Sequence, residues 1–300
     1  MGIPHAGDVD LDFDKYVAVK KGAAQARARD GAAYAYSGEF KVRRTLSYAR
    51  PVTLALEATV RLWKNVARAE LLGSAVKVTD QQFPRIYALT AKCASILHIP
   101  VPAVYVSPTI GELNAHTLGT EEDSYIVLSG ALVDHLDEDE LAFVIGHECG
   151  HIHNNHVVFS TALYYLTQGA SFYVQWVIQP AILALRAWSR RAEVTCDRAG
   201  LLCVKDLEVA TRAMVKLALG SQKLNKDLNI EEYVKQLGDA RGGVGRLMEL
   251  FRSHPYLPKR IEAMRIFAKS AFFRRHVGLG DSGLAAHESD DEVAKILSVI

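Results

Sequence analysis

The stretch "LDEDELAFVIGHECGHIHNNH", residues 136–156, decides how the rest of the chain is read. It opens with Asp137, Glu138 and Asp139, acids that suit a helix N-terminus and its dipole. Leu141, Phe143, Val144 and Ile145 follow, as in a helix buried on most sides, and no proline interrupts them. Further along, His147, Glu148 and His151 fit H-E-x-x-H. Residues four apart on a helix share a face, so both imidazoles can reach one ion. Glu148 flanks that face, where a carboxylate can polarise a metal-bound water without coordinating the metal. The bare pattern arises by accident in about one chain of this length in a hundred. Its helical setting adds weight, because burying these three side chains costs desolvation that a metal offsets. The competing reading is a polar helix end with solvated histidines.

A catalytic zinc takes three protein ligands and keeps one position open. His153 and His156 are near in sequence but point away from the 147/151 face on a continuous helix. Farther on, "RRAEVTCDRAGLLC", residues 190–203, carries Glu193 and Asp197 on one helix face. Ala192, Cys196, Ala199 and Gly200 are small and permit close approach of another helix. Two carboxylates on such a surface suit one ligand and one acceptor for a ligand's imidazole N–H. The alternative is a solvated face on which both acids pair with Arg190, Arg191 or Arg198.

Together the two segments resemble the gluzincin metallopeptidases, in particular the family of the protease HtpX and the type I CAAX prenyl protease. That family carries H-E-x-x-H on one helix and E-x-x-x-D on a later one, here Glu193 to Asp197. It also has a strand of the form N-A, here "NAHTLG" from Asn114, and a late "HP…RI" element, here "HPYLPKRI" from His254. The four elements stand in family order and cover about residues 80–265. The resemblance implies one zinc per chain held by His147, His151 and Glu193, with Glu148 as general base. It further implies Asp197 orienting a ligand histidine and His254 near the scissile carbonyl, as an oxyanion donor. Asn114, Ala115 and His116 would then lie on an exposed sheet edge that pairs with an extended polypeptide substrate. His116 departs from the family, whose members usually have an apolar residue there.

The whole chain is compatible with this reading. Its 300 residues are 49% hydrophobic and 23% charged, enough for a large core. The formal net charge of +1, with no basic run interleaved with aromatics, argues against a nucleic-acid partner. Cys93, Cys149, Cys196 and Cys203 show no C-x-x-C spacing and read as reduced thiols in a cytosol-like compartment. The acidic N-terminus lacks the apolar core of a signal peptide, so a cytoplasmic location is expected. Cys149 falls about 200° round the helix from His147, away from the metal, and reads as a core thiol. Helical periodicity recurs at 51–72 and 80–97, followed by short strands in "PAVYVSP", "NAHTLG" and "DSYIVLS" and then by helix to about Arg275. The expected class is α+β and predominantly helical, with a small sheet packed on the active-site helix in a minimal gluzincin-like core. The expected division is an N-terminal extension, 1–50, a metallopeptidase domain, 51–275, and a flexible acidic C-terminal tail, 276–300, with a weak last helix.

Residues 157–185 form a run of 29 without a charge or histidine. One bilayer crossing takes about 20 residues and two take about 40 plus a turn. A single crossing would separate His147 and His151 from Glu193 by about 30 Å, although all three must reach one ion. A helical hairpin turning near Gly169 or Pro180 is therefore expected. Its apolar exterior is a candidate for core packing, a homodimer interface or peripheral membrane contact. The leading functional expectation is a zinc endopeptidase acting on extended or unfolded polypeptide. The alternatives are a zinc-bound, non-proteolytic scaffold or chaperone-like module with an occluded site, and a chance motif in a helical interaction protein.

Overall fold

The computed structural model describes residues 32–47, 73–108, 113–120, 123–168, 172–220, 229–239 and 255–297, with a few isolated positions besides. The periodic segment at 51–72, residues 1–31 of the extension and His254 lie outside the described residues.

Helix α1 (Ser37–Ser47) precedes a short strand β1 (Val76–Lys77), helix α2 (Pro84–Ile96) and strands β2 (Ala103–Ser107), β3 (Ala115–Gly119) and β4 (Ser124–Ser129). The strands order as β1-β2-β4-β3, with β2 parallel to β4 and the two outer strands antiparallel to their neighbours. Then come α3 (Gly130–His135), α4 (Glu138–His153), α5 (Val157–Gln168), α6 (Phe172–Val204) and α7 (Leu207–Leu219). Helices α8 (Ile230–Asp239), α9 (Leu257–Ala268), α10 (Ala271–His276) and α11 (Ala286–Leu297) complete the described chain. The α+β, mainly helical class is as expected. Strand β1 has too short a run to leave a period in the sequence.

Helix α4 is the central element. Asp137 caps it, accepting from the amide of Glu140 while the Glu140 side chain accepts from the amide of Asp137. Glu140 is itself buried and pairs with Arg212 at 2.7 Å and Lys216 at 2.6 Å, which ties α7 to the first turn. Phe143, Ile145 and Cys149 face a core shared with Ile126 and Leu128 of β4 and Leu201 of α6. All four cysteines are buried and free.

The apolar run at 157–185 is divided between α5 and α6, which pack antiparallel. Phe159 of α5 lies on Trp188 of α6 with ring centroids 5.1 Å apart, and Leu163 shares a buried cluster with Ala181, Ile182 and Leu185. The hairpin therefore forms, with α5 ending at Gln168, α6 beginning at Phe172 and Pro180 inside α6. Among the described residues no helix is long and apolar enough to cross a membrane.

The described ends of the chain pack on the body of the protein. The acidic tail contains α11, whose Val293 is fully buried against Tyr36, Val194 and Ile266. From Ala32 onward the N-terminal segment is equally integrated: Tyr34 and Tyr36 are buried in the body of the protein. Acidic and small residues look solvated in sequence; on α11 Glu288, Asp291 and Glu292 are exposed, while Asp290 is buried and paired.

Candidate active site

Helices α4 and α6 approach closely because both carry small residues at the crossing. A Cβ added to Gly146 would sit 2.8 Å from Cys203 Sγ, and one on Gly150 would sit 2.8 Å from the Ala199 methyl. One on Gly200 would sit 2.7 Å from the Phe143 carbonyl oxygen. This contact carries Glu193 to the face of α4 that bears His147 and His151. Glu193 Oε2 is 3.6 Å from His147 Nε2, and Oε1 is 3.6 Å from His151 Nε2. Tetrahedral zinc ligands about 2.0–2.1 Å from the ion lie about 3.4 Å from one another, so the spacing suits one shared ion.

Asp197, one turn further along α6, accepts from His147 Nδ1 at 3.0 Å. That bond leaves the His147 Nε2 lone pair directed at the site. Arg260 of α9 clamps Asp197 through Nε at 2.8 Å and Nη2 at 2.6 Å, and its Nη1 is 3.2 Å from Glu193 Oε2. Burial alone would raise the Asp197 carboxyl, but the guanidinium holds it below the usual carboxylate range. The acids so close to Arg260 in turn hold its proton more tightly than usual, against the effect of burial. Burial pushes His151 down, yet Glu193 and Glu148 outweigh it and raise the imidazole above its ordinary value. Two buried carboxylates, Asp197 and Glu193, thus share one guanidinium, a shortage of positive charge that a divalent cation would make good.

Cys196 also comes within 4.8 Å of nitrogens of His147 and His151. Its thiol is pushed well above the ordinary range by burial and then by Glu193, Glu39, Glu148 and Asp197. Glu193 stands with one oxygen 3.6 Å from each of the two Nε2 atoms, so a carboxylate and a thiol are both within reach of the two imidazoles. The residues therefore fit a zinc ion. Cys149 is buried in the core, as expected, away from the site.

Glu148 Oε2 accepts from Thr117 Oγ1 at 2.7 Å, which links α4 to β3. Strand β3 is an outer strand: Asn114 is exposed, Ala115 and His116 are half-buried, and the His116 ring stacks on Tyr164 of α5 with centroids 5.8 Å apart. At its far end the Gly119 amide is already taken by Thr161 Oγ1 at 3.1 Å.

Two placements overturn sequence reasoning. His156 does not point away from the ligand face: its Nδ1 lies 3.2 Å from His151 Nδ1. Helix α4 stops at His153, Asn154 caps it, and Asn155 turns left-handed at φ 56°, folding the chain back beneath His151. The Asn-Asn pair was a signal for that stop. The acids of α6 pair with Arg260, while Arg198 turns to Asp290 at 2.8 Å. Arg260 stood in the quoted "HPYLPKRI" element with no role attached, and nothing local marks it as the partner of a residue on α6.

A helix bearing H-E-x-x-H, crossed by a second helix whose glutamate meets both imidazoles, defines a metallopeptidase. Residues 80–268 match the model of Peptidase family M48, and the chain belongs to that family. It is 34% identical over 173 residues to the plastoglobule-localized metallopeptidase 48, chloroplastic, of Arabidopsis thaliana, covering 56% of this chain and 49% of that protein. It is 26% identical over 236 residues to a protease HtpX homolog of Salinibacter ruber, covering 71% of this chain and 84% of the relative. The protease HtpX of Xanthomonas euvesicatoria pv. vesicatoria is 28% identical over 212 residues, covering 59% and 70%. The chain thus spans about half the length of the Arabidopsis relative. No solved structure matches.

Proposed function

We propose that the protein is a zinc-dependent endopeptidase that cleaves extended or unfolded polypeptide. The observation that carries this reading is the 3.6 Å approach of Glu193 to the Nε2 atoms of both motif histidines, with Asp197 orienting one of them. His147, His151 and Glu193 would hold one zinc per chain. Bound there, zinc supplies Lewis acidity, bringing the pKa of water to about 7 and drawing charge from a carbonyl.

The remaining work falls to the chain's own groups. Thr117 donates to Glu148 Oε2 and fixes the carboxylate, so the other oxygen is the one that takes the water's proton and passes it to the leaving amine. Asn114, Ala115 and His116 offer a strand for backbone pairing, which reads little side-chain identity and suits unfolded substrates. His254, next to the described Pro255, is proposed as the donor to the developing oxyanion. Homodimer or peripheral membrane contact through 157–185 and a cytoplasmic location belong to the same proposal.

The test is a pair of substitutions read for metal and for casein cleavage. Glu148→Gln should keep zinc and lose most hydrolysis, by about two decades or more, because an amide cannot accept the proton. Glu193→Ala should lose zinc. Casein cleavage at the unaltered rate by Glu148→Gln would sink the general base, and full zinc in Glu193→Ala would sink the third ligand.

A further inference from the structure

Glu39 is a buried carboxylate with no task in the mechanism above. It sits in the first turn of α1, fully buried, outside the residues that match the family. Thr195 of α6 donates to its Oε2 at 2.7 Å. Its Oε1 lies 2.8 Å from His156 Nε2. Neither of these two atoms has a hydrogen-bond partner among the described residues, so each is the other's polar neighbour.

The proton positions follow from donor and acceptor chemistry. A carboxylate only accepts, so a neutral His156 turns its N–H, on Nε2, toward Glu39. Its Nδ1 is then a lone pair. The nitrogen 3.2 Å away is His151 Nδ1, which must therefore donate. The Cys196 thiol, 3.6 Å from the same His156 nitrogen, is a weaker donor. With its proton on Nδ1, His151 presents an Nε2 lone pair toward Glu193. Asp197 imposes the same tautomer on His147 directly. Two independent supports thus leave both Nε2 atoms free on the same side.

We propose that Glu39, acting through His156, is a positioning residue for the metal centre: it fixes the Nδ1–H tautomer of His151 and keeps Nε2 available to a divalent cation. The inference rests on the reading of His147, His151 and Glu193 as ligands. It makes the segment ahead of the family match part of the site, since α1 supplies the end of the chain Glu39–His156–His151.

The test uses the full chain stripped of metal and titrated with zinc against a chelator. Glu39→Met, close in volume and without an oxygen acceptor, should bind zinc about ten- to a hundredfold more weakly, as loss of an outer-shell partner of a ligand histidine commonly does. An unchanged zinc affinity in the folded variant would overturn the proposal and return Glu39 to a purely structural role. Should the variant not fold, two-bond 15N–1H spectra of the unaltered, metal-free chain decide. His151 protonated on Nδ1 and His156 on Nε2 support the relay; His151 protonated on Nε2 overturns it. Failure of the unaltered chain to take up zinc would instead overturn the ligand reading, and this inference with it, whatever the tautomers.

Discussion

Arg260 reaches Asp197 with two nitrogens and Glu193 with the third, in a space where all three side chains are largely shielded from water. A buried charge that loses its partner is costly, so removing this cation leaves two carboxylates facing each other across the site. Arg260→Met should therefore destabilise the metal-free protein by about 3–5 kcal/mol. Zinc would restore positive charge at the same place, so the zinc-loaded variant should lose distinctly less. Thermal melts with chelator and with zinc read the difference. An equal loss in both states would mean that Arg260 serves packing and not the charge of the site. At this scale the sequence was half legible. His147 and His151 announce themselves by spacing, whereas Arg260 is a lone basic residue whose meaning depends on an acid on another helix.

At the scale of elements, the α4–α6 crossing sets how far Glu193 stands from the histidines. Gly200 is the tightest point, since its added Cβ would meet a backbone oxygen, Phe143 O, at 2.7 Å, and backbone cannot rotate aside. Gly200→Ala should cost about 1–3 kcal/mol by overpacking and push α6 outward. Because Glu193 and Asp197 ride on α6, zinc affinity should fall with stability even though Gly200 touches neither. Gly220→Ala supplies a contrast: nothing lies within 4 Å of its added Cβ, and the strain of its positive φ of 62° should lower stability without touching zinc. Unaltered zinc affinity in Gly200→Ala would mean that the crossing tolerates the extra methyl locally. The small residues of 190–203 made this crossing foreseeable. The Asn-Asn pair signals that α4 stops there, but not that His156 returns beneath His151, because a helix end changes the direction of every later side chain.

At the scale of the whole molecule, the described ends of the chain are fastened to the catalytic body. Asp290 of α11 accepts from Arg198 of α6 at 2.8 Å and from the Ser37 amide at the start of α1 at 2.9 Å. Arg198 is buried and also lies over the Tyr36 and Phe267 rings. Asp290→Ala should strand that guanidinium and cost about 3 kcal/mol. The same change should loosen α1, and Glu39 with it, so zinc affinity is expected to weaken secondarily. Urea unfolding and chelator titration check both; stability within about 0.5 kcal/mol of the unaltered chain would show the clasp to be dispensable.

What the sequence determined by itself were features whose cause is local. The H-E-x-x-H face follows from helical period, the small-residue helix that carries Glu193 and Asp197 from residue size, and the hairpin from the length of an uncharged run between groups meant for one site. What only the tertiary structure decided were meetings between distant segments: Glu39 under His156, Arg260 across Asp197 and Glu193, Thr117 on Glu148, and Asp290 on Arg198. The physical reason is that a polar side chain leaves no periodic trace of its partner. Its burial becomes affordable only once packing has brought the opposite charge, or the complementary hydrogen-bonding group, to within about 3 Å.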